Sequence, residues 1–149
     1  MKKWLSALGL PLSLYLAVQW QLGRLHLTRD PASVSGNTCE GKRTCAVIYY
    51  APWCPHCRSD IPHAQAMLAR SRTGDTGVKI IVGMEHRPGD NEAMARKIAS
   101  TGVVIDSDRK LARELEVDGF PSYIVLDKEG TKLVGGQEGF QWVMEKFGR

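Results

Sequence analysis

Cys45-Ala46-Val47-Ile48-Tyr49-Tyr50-Ala51-Pro52-Trp53-Cys54-Pro55-His56-Cys57 is the stretch that decides how this chain folds. Its first half is an apolar run of strand length, β-branched and aromatic in the middle, which predicts a buried strand. Pro55 marks the start of a helix: proline fits the first helical turn, and residues 58–70 carry Ile61, Ala64, Met67 and Leu68 at helical spacing. Two thiols separated by two residues at such a junction can close a small disulfide while one sulfur stays exposed at the helix N-terminus. That is the layout of a dithiol redox centre.

Cys54 then faces unpaired backbone N–H groups and the positive end of the helix dipole, both of which favour thiolate over thiol. Cys54 is the expected nucleophile, and Cys57, one turn further on, the resolving thiol. His56 stands between them. As a donor it would stabilise the Cys54 thiolate further and make the disulfide more oxidising; the other reading is a solvent-exposed turn residue. Tetrahedral zinc would need two more ligands at compatible spacing. Cys39 and Cys45 lie ahead of the strand, and His63 and His86 are isolated. The expectation is no metal, and no cofactor besides the redox-active Cys54–Cys57 pair.

Trp53 directly before the motif, Pro62 eight residues after Cys54, and Gly119-Phe120-Pro121-Ser122 resemble, in that order, features of the thioredoxin-like superfamily. There the active-site helix is kinked at the proline and the later loop holds a cis-proline. The resemblance extends over residues 45–147. Within it, Trp53-Cys54-x-x-Cys57-x-x-Asp60-x-Pro62 is similar to the membrane-anchored, extracytoplasmic branch typified by TlpA and ResA, with Asp60 where that branch has glutamate. Pro55-His56 is the dipeptide of DsbA, but residues 72–120 are too few to hold the helical domain that DsbA inserts.

The resemblance implies a thiol:disulfide oxidoreductase of thioredoxin-like fold that acts on protein thiols and disulfides. Phe120 and Pro121 would form its substrate-docking loop, with Trp53, Pro55, His56 and Asp60 tuning the site. Thioredoxins carry a buried aspartate six positions before the first cysteine, where this chain has Ile48. Asp60 is the best substitute for proton transfer with Cys57; its alternative is an ordinary solvated acid favoured by the helix dipole. The TlpA-like frame implies a reductase, whereas Pro55-His56 pulls towards an oxidase or isomerase.

Towards the N-terminus, residues 4–22 contain no charged side chain, about the length needed to cross a bilayer. Trp4 and Trp20 suit interfacial belts, and no small-x-small site follows directly on the apolar stretch, the nearest, Ser33-Val34-Ser35, lying far downstream. Residues 1–28 are therefore expected to be an uncleaved transmembrane anchor, with a cleaved signal peptide as the alternative. Lys2 and Lys3 are matched by Arg24 and Arg29, so charge does not orient the segment. Cysteines outside the redox motif point to an oxidising compartment, hence the periplasmic or extracytoplasmic side. Residues 29–44, rich in Pro, Ser and Gly, read as a tether. Cys39 and Cys45 flank a turn-like loop, which favours a structural disulfide over a second exchange pair or free thiols.

Residues 45–149 are expected to form one thioredoxin-like domain. Strands are predicted at 78–84 and 103–105 and a hairpin at 123–126 and 132–134; helices are predicted at 92–100 and at 109–115 behind an Asp108 cap. Phe140, Val143, Met144 and Phe147 give a final helix its apolar face. This order implies an α/β fold with a central mixed sheet flanked by helices. With 20 Lys+Arg against 16 Asp+Glu the net charge is +4, scattered rather than clustered, and no nucleic-acid partner is expected. Expected partners are protein substrates, an upstream membrane redox partner and the membrane itself. Two other classes stay open: a copper- or zinc-handling thiol protein using Cys54, Cys57 and a histidine, and a non-catalytic thioredoxin-fold binding module.

Overall fold

Residues with almost no polar side chains between Cys45 and Ala51 make β1 (Thr44–Tyr50) a strand buried on both faces. The computed structural model, which describes Cys39 and residues 41–100 and 102–148, places β1 at the centre of a five-stranded sheet. β2 (Thr76–Gly83) pairs with it in parallel, and β3 (Val103–Asp106) extends the parallel part. On the other side β4 (Ser122–Asp127) and β5 (Lys132–Gly135) run antiparallel, giving the order β3-β2-β1-β4-β5. The sheet is mixed, as the order of strand and helix signals implies.

Alternation along β1 divides the core. Ala46, Ile48 and Tyr50 point to one face, where they meet Cys57 of α1 (Pro55–Ser59), Ala64 and Met67 of α2 (Ile61–Ser71), Met94 and Ile98 of α3 (Asp90–Ile98), and Val143 and Phe147 of α5 (Gly136–Phe147). Cys45, Val47 and Tyr49 point to the other, against Ala112 of α4 (Lys110–Glu114), Leu115 and Cys39.

The structure differs from the local sequence signals at three places. The apolar period runs on without a gap, but the helix from Pro55 is split at Asp60 (φ −88°, ψ −4°), beside the kink that the resemblance implies at Pro62, because Pro62 brings no N–H to continue the ladder from Arg58. The helix predicted at 92–100 starts earlier, its N-cap being Gly89 with φ +88°, where a side chain would be strained. Asp108 is not the main cap of α4: it accepts only from Lys110 N–H, whereas Asp106 takes the N–H groups of Leu111 and Ala112 and the Tyr49 hydroxyl. Asp106 wins because it is buried at the end of β3, where its oxygens reach both helix and strand. Among the described residues no helix is long and apolar enough to cross a membrane. The anchor expected at 1–28 lies outside those residues, as does most of the 29–44 tether.

Candidate active site

The end of β1 delivers Cys54 to the N-cap of α1, with Pro55 at the first helical position. The Cys57 backbone N–H points at Cys54 Sγ, 3.4 Å away. From the opposite side the Phe120 carbonyl lies 3.5 Å from the same sulfur and accepts from it when it is a thiol. The Phe120–Pro121 peptide bond is cis. This close approach covers the nucleophile: Cys54 is 4 % exposed, less open than a helix-terminal thiol was expected to be, and Cys57 is fully buried. Both thiols are free. Burial, above all, pushes the Cys57 thiol up to about 12.

Trp53 is held by three contacts. Its indole N–H donates to the Met84 carbonyl at 2.8 Å, and its ring stacks on His86 (5.1 Å, 6°) and meets the Phe120 ring edge-on at 5.4 Å. Met84 adopts φ +64°, a conformation uncommon for a side-chain-bearing residue. His56 is exposed and stands on the wall of a cleft of about 470 Å³, shared with Asp60, Phe120, Pro121, Tyr123 and Phe140.

Asp60 is not the solvated first-turn acid that its position allows. Its side chain is 20 % exposed, and its Oδ2 accepts from the hydroxyls of Tyr50 (2.7 Å) and Tyr123 (2.6 Å). Desolvation, and then the neighbouring carboxylate, push both phenols far above their ordinary range, so they act as fixed donors. The Asp60 charge also adds to the upward push on Cys57. His63 joins the group from α2, its Nδ1 3.4 Å from Asp60 Oδ1.

Sequence reasoning did not find Tyr50, Tyr123 or His63. For the tyrosines a signal existed: Tyr50 occupies an inward position of a buried strand, and a buried phenol needs an acceptor. For His63 it was the spacing from Asp60, one helical turn.

Cys39 and Cys45 are joined by a disulfide, with Cα atoms 5.4 Å apart. Cys45 lies at the start of β1 and Cys54 beyond its end, so about five strand residues, roughly 17 Å, separate the two pairs. Among the described residues no group of three or more His, Cys, Asp or Glu side chains is placed to hold a metal ion.

A dithiol at a helix N-terminus after the central strand, faced by a cis-proline loop that leads into its neighbour β4, is the site layout of thiol:disulfide oxidoreductases of thioredoxin-like fold. The profile of the Redoxin family matches residues 18–141, and the chain belongs to that family. Over 46 residues it is 44 % identical to protein disulfide-isomerase A5 of Bos taurus, a match that covers 31 % of this chain and 8 % of that protein. Among solved structures, the exposed lipoprotein thioredoxin Etrx1 of Streptococcus pneumoniae superposes with a TM-score of 0.55 at 19 % identity, covering 72 % of this chain and 86 % of that one. A secreted disulfide oxidoreductase of Mycobacterium tuberculosis, homologous to E. coli DsbE, gives 0.52 at 17 % identity over 63 % and 68 % of the two chains. A putative thioredoxin of Neisseria meningitidis gives 0.57 at 16 % identity over 71 % and 72 %. At these identities the likeness concerns the fold.

Proposed function

We propose that this chain exchanges disulfides with protein substrates on the extracytoplasmic side of a membrane to which residues 1–28 anchor it. The observation that carries the exchange reading is the position of Cys54 Sγ between the Cys57 N–H and the carbonyl of Phe120, a residue that lines the cleft. In the reducing direction the Cys54 thiolate attacks a substrate disulfide, forming one S–S bond as the other substrate sulfur leaves as thiolate. Cys57 then attacks Cys54 Sγ, closing the Cys54–Cys57 disulfide and releasing the second substrate thiolate. The reverse sequence oxidises a substrate dithiol with the same atoms. The cysteine pair carries both electrons, so the reaction needs no bound cofactor.

Cys57 can attack only after losing its proton, and a thiol pushed up to about 12 does not lose it unaided near neutral pH. Asp60, one turn on and held by two phenols, is the base. The loop at Phe120 and Pro121 forms the wall of the cleft and offers backbone groups beside the reacting sulfur, so an extended substrate segment can lie along it. His56 is assigned the tuning of the Cys54 thiolate, and Cys39–Cys45 a structural role, since its distance from the dithiol rules against direct exchange between the pairs. An extracytoplasmic setting is supported by that disulfide and by the uncharged stretch at residues 4–22. An upstream membrane protein would then return the couple to its starting state.

The test is trapping. Cys57→Ser should accumulate mixed disulfides between Cys54 and substrate proteins, visible on non-reducing gels and lost on reduction, while Cys54→Ser accumulates none. Equal trapping by both variants, or by neither, would remove the assignment of roles.

A further inference from the structure

His63 is the polar group beside the dithiol that the exchange chemistry leaves unused. Its Nε2 lies 2.8 Å from the Gly148 carbonyl, and a carbonyl only accepts, so Nε2 carries a hydrogen. In a neutral ring Nδ1 is then a bare lone pair. That nitrogen is buried, makes no well-formed hydrogen bond, and faces Asp60 Oδ1 at 3.4 Å. A lone pair set against a carboxylate oxygen is repulsive, so the geometry calls for one proton in the pair. Either an imidazolium lies beside a carboxylate, or a neutral imidazole lies beside a carboxylic acid. Because the Tyr50 and Tyr123 hydroxyls occupy Oδ2, Oδ1 is the oxygen left to exchange that proton.

Asp60 also lines two clefts. One holds Phe120 and Pro121, the loop proposed above to dock the substrate. The other, of about 480 Å³, is walled by Asp60, His63, Ala66 and Arg70. A substrate joined to Cys54 covers the first and leaves the second open.

We propose that His63 takes the resolving proton from Asp60 and exchanges it with solvent through the Arg70 cleft while the substrate still occupies the other side. This rests on the reading of Asp60 as the base for Cys57. As His63 gives the proton already in the pair to water, the Cys57 thiol gives its proton to Asp60, and Oδ1 shares it with His63 Nδ1, so that the pair again holds one. The thiolate electron pair forms the Cys57–Cys54 bond, and the bond from Cys54 to the substrate breaks with its pair leaving on the substrate sulfur. One proton has thereby gone to water, and the enzyme dithiol has been oxidised by two electrons as the substrate disulfide was reduced. The titratable and charged groups facing the pair are Tyr50 of β1, Cys57 of α1, Arg70 of α2 and Tyr123 of β4, with the Gly148 carbonyl after α5. Arg70 is itself tied to the Phe147 carbonyl.

The experiment follows release of 5-thio-2-nitrobenzoate from its mixed disulfide with Cys54 in the full chain, a single turnover that reports Cys57 attack. His63→Gln should slow release roughly tenfold or more near neutral pH, with the gap to the native protein closing as alkali deprotonates Cys57 directly. In His63→Ala, added imidazole should restore part of the rate. A native rate and pH profile in His63→Gln overturns the proposal, as does a slowing with an unchanged pH profile that imidazole does not relieve, since that marks packing alone. Should both variants fail to fold, the native protein decides by release in mixtures of light and heavy water: the rate should bow downward with deuterium content, as two protons move in the same step, and a straight line overturns the proposal. Asp60→Asn separates the two readings. If Asp60→Asn slows release while the His63 variants do not, only the His63 proposal fails; if Asp60→Asn is native in rate, the base reading fails and the proposal with it.

Discussion

Cys57 sets the terms of the chemistry at the scale of single residues. Its thiol is pushed from an ordinary value near 9 to about 12, chiefly by burial. Between those values the unfolded chain gives up a proton that the folded chain keeps, so stability present below about pH 9 is lost as pH rises towards 12. The oxidised protein has no Cys57 thiol to titrate. Denaturant melts of the two redox forms should therefore diverge above about pH 9, the reduced form weakening faster; parallel curves would place Cys57 in a wetter site. Buried Tyr49, Tyr50 and Tyr123 shift upward too, chiefly through burial and their carboxylate partners, which both redox forms share. Replacing Asp60 by Asn removes the base and should slow Cys57 attack by about 100-fold, measured as single-turnover release. Cys54 and Cys57 were legible in the sequence because their motif is local. The Asp60 environment was not, because its partners Tyr50 and Tyr123 come from β1 and β4, and only the antiparallel pairing of those strands brings them together.

Elements position the site through two close contacts. α5 crosses β4 at Gly139, where an added Cβ would strike the Tyr123 backbone carbonyl rather than a flexible side chain. Gly139→Ala should therefore cost about 1–3 kcal/mol of stability by denaturant titration, and it should disturb the Asp60 network, because the displaced strand residue is Tyr123. A neutral outcome would mean that α5 can slide on the sheet. At the other end of β1 the Cys39–Cys45 bridge closes a short loop, a sequence separation of six residues. Cys39→Ser with Cys45→Ser should lower stability by about 2 kcal/mol on the loop-closure argument while leaving exchange at Cys54 intact; lost exchange would instead assign the bridge to electron relay. The hairpin and the mixed sheet were legible from period and turn residues, whereas the strand order came only from the structure. The break at Asp60 was legible only through Pro62, and the capping of α4 by Asp106 was hidden because a buried strand-end carboxylate looks, in sequence, like any other acid.

Across the whole molecule, the match of the Redoxin family to residues 18–141 agrees with an α/β chain built around one dithiol. The sequence carried part of this, since the alternation of strand and helix signals implies an α/β fold with a mixed sheet. The N-terminal reading rests on residues 4–22 alone and has a direct check. Intact protein retaining Lys2 and Lys3 should be recovered in the membrane fraction, whereas a soluble form with a mature N-terminus near Gly36 would replace anchor by signal peptide. The central claim, that Cys54 and Cys57 form the exchanging couple and that His56 tunes it, is tested most directly by equilibrating the full chain against glutathione and mapping the disulfides at each poise. The account predicts that Cys54–Cys57 opens and closes as one two-electron couple between roughly −120 and −230 mV, moving lower in His56→Pro, while Cys39–Cys45 stays closed. A couple near about −270 mV that ignores His56, or one in which Cys39–Cys45 opens first and Cys54–Cys57 never forms, would contradict it.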